Sequence, residues 1–215
     1  MSKRVCAAAM LIVFMLPAQV SAGKPAETLD TYLKRVFQIF KDYEAASITE
    51  QQGNELKRRL SDLAGEVFNY TIMARMSLAR HWRDFSQTQQ KEFVRLFRQL
   101  LEENYFAKVL TYLEEIKSYS PENLAITEEI IFSERKAEVQ TVISYEGKKV
   151  PVNYRFVNLN DSWAIYDISV EGVSLVQNYR GQFGESLAKS TPAELLEQLR
   201  SKVGSSQAEQ AGGSS

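Results

Sequence analysis

Apolar residues recur along this chain with two different periods, and the period changes between the two halves. In the first half the spacing is helical. In LDTYLKRVFQIFKDYE, Leu29, Tyr32, Leu33, Val36, Phe37, Phe40 and Tyr43 mark one face. A second helix is expected over roughly 50–68, with Leu56, Leu60, Leu63 and Val67–Phe68 on its apolar side. A short irregular helical stretch, NYTIMARMSLARHW, follows. Ser86 then stands three places before Gln89, a capping-box signature for a helix start. That helix can run to about Leu113. Phe93, Leu96, Phe97 and Leu100 cluster on one side of it. Leu101, Tyr105, Phe106, Val109, Leu110, Tyr112 and Leu113 spread mostly over the other. A stripe that rotates partway along fits two arrangements: a helix buried centrally, or a helix with one end on a cavity.

In the second half the period falls to two. Candidate strands are 124–132, 136–146, 149–159 and 163–171, with tight turns at Glu146-Gly147-Lys148 and Asn160-Asp161-Ser162. Such short connections make an antiparallel meander. Val139, Thr141, Ile143 and Tyr145 share one face of the second strand, and Val150, Val152, Tyr154 and Phe156 one face of the third. The fourth strand does not alternate cleanly. Tyr166, Ile168 and Val170 point one way, and Trp163 and Ile165 the other. One face of the sheet must be continuously apolar and needs a cover, for which the long helix is the evident candidate. After Glu171, Gly172 can turn the chain sharply. Ser174 and Gln177 form another capping signature, opening a helix over about 175–189. Thr191-Pro192 opens a last helix carrying Leu195, Leu196, Leu199 and Val203. The fold expected is α+β: a helical N-terminal half, a four-stranded antiparallel meander covered by a long helix, and two C-terminal helices.

The N-terminus adds a compartment. Lys3 and Arg4 precede an apolar run from Val5 to Leu16, then Pro17, and Val20-Ser21-Ala22 has the small-residue spacing of a signal peptidase site. A membrane anchor would need about 20 apolar residues, so residues 1–22 are read as a cleaved signal peptide and the product as periplasmic. Cys6 opens the apolar run instead of following it, unlike a lipoprotein cysteine. It is the only cysteine, so the mature chain is expected to hold no disulfide, thiol nucleophile or cysteine metal site. Loss of Lys3 and Arg4 leaves 24 basic and 27 acidic residues, a net charge of −3, which gives no basic excess to hold nucleic acid. Residues 23–204 suit one domain. Residues 205–215, rich in Ser, Gly, Gln and Ala, are read as a disordered tail.

Candidate chemistry is sparse. His81 is the only histidine and suits a surface or hydrogen-bonded place on a helix. Asp167 and Glu171, four apart on one strand, fit paired carboxylates, or Asp167 anchors a turn or Arg155. Arg75, Arg80 and Arg155 can approach a phosphate or serve ordinary ion pairs. Ser174 is explained by capping alone.

A resemblance then connects these segments. Phe68-Asn69-Tyr70, Met73-Ala74-Arg75 and Ser77-Leu78-Ala79-Arg80-His81-Trp82 lead to Ser86-Gln87-Thr88-Gln89-Gln90 with Glu92-Phe93. Phe97-Arg98-Gln99-Leu100-Leu101 with Tyr105 follows, then Trp163-Ala164-Ile165-Tyr166-Asp167 running into Glu171-Gly172-Val173-Ser174-Leu175, with Phe183 and Leu187. In order and spacing, over about residues 29–203, this resembles the MlaC family of toluene-tolerance proteins, periplasmic phospholipid carriers. Ala79 departs from the pattern, which leads one to expect glycine there. The resemblance implies an apolar pocket between sheet and helices, holding a phospholipid by its acyl chains with the head group near solvent. It implies two protein partners, an MCE-domain subunit of an inner-membrane ABC transporter and an outer-membrane lipoprotein, and no cofactor, metal or catalysis. On the residues above, the pocket is expected to use Phe97, Leu101, Tyr105, Val109, Tyr112, Val139, Val152, Tyr154, Ile168, Val173 and Val176. The other readings are a carrier of a different apolar lipid, such as a hopanoid, and a small-molecule enzyme in an α+β cone with Asp167 as base.

Overall fold

The helical period of the first half builds four helices. The computed structural model describes residues 24–43, 48–111, 123–145 and 147–212. Helix α1 spans Pro25–Lys41, α2 Glu50–Val67, α3 Tyr70–Leu78 and α4 Gln87–Thr111. A 3-10 turn, Ala79–Asp84, joins α3 to α4. The capping box expected at Ser86 forms, and Thr49 supplies another that was not expected from the sequence. Thr49 and Gln52 bond each other's backbone N–H at the start of α2, and Ser86 and Gln89 do the same before α4. Each box satisfies two donors that a helix start otherwise leaves unpaired.

The second half forms one antiparallel sheet in sequence order: β1 Leu124–Ser133, β2 Lys136–Tyr145, β3 Lys148–Leu159, β4 Ser162–Val170 and β5 Val173–Ser174. It therefore has five strands where four were expected. The fifth is the stretch after Gly172, which turns back and pairs with β4 through Val170 opposite Val173. Glu171 and Gly172 both have positive φ, 50° and 82°, as the two central residues of a tight hairpin turn require. Asn160 and Asp161 do the same between β3 and β4.

The uneven alternation of the fourth strand has a physical cause. Phe156 pairs with Ile165, yet the next residue back, Arg155, pairs with Asp167, so Tyr166 is an extra residue. This bulge resets the pleat. Ile165 and Ile168 both reach the face shared with Phe156 and Tyr154, a placement strict alternation forbids. Tyr166 and Asp167 are directed instead to the following helix.

That helix, α5, is Leu175–Leu187, and α6 is Pro192–Gly212. Thr191 and Glu194 box the start of α6, and the helix continues through Gly212 into the segment read as a tail. The cover of the sheet also differs from the expectation. Helix α1 lies directly on it, with Leu29 fully buried against Val139, Phe156 and Ile165. The N-terminus of α1 is held to β1, the Ala26 N–H donating to Glu129 Oε1 at 2.8 Å. Helix α4 packs instead against α6, α3 and α2 and faces the sheet across a gap.

Candidate ligand pocket

That gap is a cavity of about 590 Å³, within the ~300–1,000 Å³ usual for ligand sites. Its walls come from every layer. The sheet supplies Ile143, Val152, Tyr154, Ile168 and Val170; α4 supplies Leu101, Glu102 and Tyr105; α1 to α3 supply Tyr32, Ala64, Phe68, Tyr70 and Met73. The turn into α5 closes it with Val173, Ser174, Leu175 and Asn178. Side chains that are exposed although they line it mark the mouth: Tyr105 at 49%, Val170 at 44% and Val173 at 66%.

Two of the polar groups on this wall, Glu102 and Ser174, are bonded within the protein. Glu102 accepts from Arg98 Nε at 2.6 Å and from Ser61 Oγ at 2.9 Å. The Arg98 guanidinium also lies over the Tyr70 ring, 5.1 Å from its centroid, a favourable place for a cation. Thr141, buried on the apolar face of the sheet, donates its hydroxyl to the Val152 carbonyl at 2.8 Å.

The corner after β4 is built by Asp167. Ser174 Oγ accepts from the Gln177 N–H as a cap, at 3.0 Å. The reciprocal arm of a box is absent. Asp167 takes that place, receiving the Ser174 hydroxyl on one oxygen at 2.6 Å and the Val176 N–H on the other at 3.0 Å. Asp167 is 3% exposed and is surrounded by these donors, by the N-terminus of α5 and by Arg155 at 3.6 Å. Glu171 lies in the hairpin turn, beyond the end of β4, so the two do not form a carboxylate pair. Arg155 is bonded to Glu138 at 3.0 Å. His81 meets Asp84 at 3.1 Å on the 3-10 turn.

Of the expected pocket residues, Leu101, Tyr105, Val152, Tyr154, Ile168 and Val173 are on the wall. Phe97, Val139 and Val176 are not. Phe97 is fully buried among Phe93, Tyr179 and Phe183. Val139 lies where α1 closes on the sheet, and Val176 points into the aromatic cluster beneath α4. Val109 falls in the last turns of α4, and Tyr112 lies outside the described residues. The far wall, Tyr32, Phe68, Tyr70 and Met73, was missed. These residues read as ordinary helix-packing positions. The signal for Tyr32 and Tyr70 was a phenol on faces that otherwise called for hydrocarbon; Phe68 and Met73 gave none.

Fold and site define a class: an α+β protein whose helices and sheet are held apart by an apolar ligand pocket that opens through an apolar mouth. The family model for MlaC proteins matches residues 30–201, and the chain belongs to that family. Among solved structures it is similar to a phospholipid-binding protein from Ralstonia solanacearum, solved in complex with a phospholipid. Identity is 17% and the TM-score 0.71, over 86% of this chain and 99% of that one. No curated protein matches it.

Proposed function

We propose that this protein is a periplasmic phospholipid carrier. On this reading it takes lipid between an outer-membrane lipoprotein complex and an MCE-domain subunit of an inner-membrane ABC transporter, and so maintains outer-membrane lipid asymmetry. The observation that carries the reading is the pocket, an apolar cavity open at one end between sheet and helices. Family membership and the phospholipid in the similar Ralstonia protein support it.

The energetics suit a carrier. Each acyl methylene exposed to water costs about 0.8 kcal/mol, so free lipid does not cross an aqueous space. A dry pocket offers tails nearly what a bilayer offers, and exchange with a membrane partner is then close to neutral. The carrier needs no energy source, and direction comes from the ATPase among its partners. Both oxygens of Asp167 are engaged in holding the α5 corner, which favours binding without turnover over the enzyme reading.

Solvent extraction of the protein purified from the periplasmic fraction, with native mass spectrometry of the same sample, tests this. Intact phospholipid at one molecule per chain is expected. Release of fatty acid, abolished by Asp167→Asn, would instead establish the enzyme, and an extracted hopanoid would establish the other carrier.

A further inference from the structure

Three of the four tyrosines of the wall, all but the exposed Tyr105 at the mouth, stand where phenylalanine would fill the same space. Tyr32 comes from α1, Tyr70 from the start of α3 and Tyr154 from β3, and all three line the cavity. Phe68 stands between the first two, with ring centroids 5.9 Å from Tyr32 and 6.1 Å from Tyr70. Burial raises the pKa of all three phenols, that of Tyr154 to about 12, and Tyr32 is raised further by the nearness of Tyr154 and Tyr70. The three therefore form one group.

Their hydroxyls are uncommitted. None of them has a hydrogen-bond partner among the described residues. Of the other polar groups on the wall, Tyr105 and Asn178 are exposed to solvent, and Glu102 and Ser174 are bonded within the protein. Glu102 is engaged by Arg98 and Ser61, Ser174 by Asp167 and Gln177. Tyr179, outside the cavity wall, receives the side-chain amide of Asn104 at 3.0 Å. Hydrocarbon that filled the cavity would strip water from three phenols and return nothing, a penalty that an acceptor in the ligand removes. A phenol donates, so the matching atom is an oxygen with free lone pairs. It must sit inside the cavity, between the tails and the head group.

We propose that Tyr32, Tyr70 and Tyr154 form a carbonyl-binding site within the pocket. It takes the ester carbonyl oxygens of an acyl glycerolipid and discriminates against ether lipids of the same length and head group. This rests on the phospholipid reading above and adds the part of the lipid that the protein recognises. Hydrophobic walls distinguish chain lengths weakly. A site built to hydrogen-bond one group rejects an analogue lacking it far more strongly, because the site's own polar atoms are left unpaired.

The test compares dipalmitoyl phosphatidylglycerol with its dihexadecyl diether analogue, each titrated into delipidated protein and read by native mass spectrometry. Wild type is expected to prefer the diester by about tenfold, the equivalent of one to two good hydrogen bonds. The triple variant Tyr32→Phe, Tyr70→Phe, Tyr154→Phe is expected to bind both lipids alike. The single variants, which keep every ring in place, should each lower the ratio by about two- to threefold. Equal binding of the two lipids by wild type would overturn the inference, as would a triple variant that keeps the preference. A triple variant that weakens both lipids equally would place the phenols on the head group and overturn it too. Binding of neither lipid removes the phospholipid reading with it, whereas equal binding removes this inference alone.

Discussion

The two parts of α4 carry the same kinds of residue into two different interiors. Toward its N-terminus, Phe93 and Phe97 enter a solid aromatic cluster with Phe183 and Tyr179, ring centroids 5.1 to 5.8 Å apart. One to just over two turns later, Leu101 and Tyr105 face a cavity, with Tyr154 and Val152 across it. Composition does not separate them, since both are aromatic and aliphatic. What separates them is closure. The bulge at Tyr166 and the Asp167-capped corner pull α5 down onto the first region, while α1 lies on the sheet at only one end of the second. The solid region is packed and the hollow one leaves room, so on the carrier reading substitutions in the two should be read on different scales.

The largest effect belongs to the solid region. Phe97→Ala removes a fully buried ring with three aromatic neighbours, and loss of such a ring costs about 3–5 kcal/mol. We expect a fall of that size in chemical denaturation of the delipidated protein. A cost below about 1 kcal/mol would mean that this cluster is loosely packed and that the contrast with the pocket is false.

An intermediate effect separates the tyrosines of the two regions. A folded-state pKa above the unfolded one gives stability that is whole below the unfolded value and is lost as pH rises through the folded value. Burial holds Tyr154 at about 12 against an ordinary value of 10.0. Its contribution, on the order of 2–3 kcal/mol for about two pH units, should disappear between about pH 10 and 12. Tyr179 is raised by burial too, but its bond from Asn104 opposes the rise. Tyr154→Phe should therefore flatten the loss of stability across that window more than Tyr179→Phe does. Equal flattening would show that the pocket phenols are no more sequestered than Tyr179.

A smaller effect of opposite sign lies at Ala79. This residue ends α3 with φ 49° and ψ −119°, a conformation that glycine adopts freely and a Cβ opposes. Such strain costs of order 1–3 kcal/mol. Glycine relieves it but gains about 0.4–1 kcal/mol of unfolded-state freedom. Ala79→Gly should raise stability by about 1 kcal/mol and leave lipid content unchanged, since Ala79 is not on the wall. A loss of stability would show that the turn is not strained.

Much of this was legible in the sequence because it is local. The capping signature at Ser86, the proline start of the last helix at Thr191-Pro192, the hairpin turns and the two apolar periods all act over a few residues. The resemblance across 29–203 supplied the idea of a pocket. Two things were hidden. The bulge at Tyr166 breaks the period-two rule on which the faces were assigned, and only its pairing with β3 reveals it. The division between Phe97 and Leu101 depends on which neighbours close in from distant parts of the chain, and periodicity on one helix carries no record of that. For the same reason Tyr32 and Tyr70 looked like helix packing until the sheet was placed opposite them.

The smallest expected change in stability gives the sharpest test of the comparison. Val139 and Val152 lie on the apolar face of neighbouring strands, Val139 opposite Tyr154 and Val152 opposite Thr141. Both are buried, at 0% and 5% exposure, and only Val152 borders the cavity. Tryptophan at 139 must push apart a packed cluster that includes Leu29 and Phe156, at about 1–3 kcal/mol or more. Tryptophan at 152 has open volume to enter. Val152→Trp should therefore lose co-purifying lipid yet melt within a few degrees of wild type, while Val139→Trp melts well below it. The reference must be delipidated wild type, because bound lipid raises apparent stability by mass action. Extraction and calorimetry on the same preparations supply both quantities. If Val152→Trp kept its lipid and fell as far as Val139→Trp, the wall at Val152 would be solid core, and the ligand would have to lie elsewhere between sheet and helices.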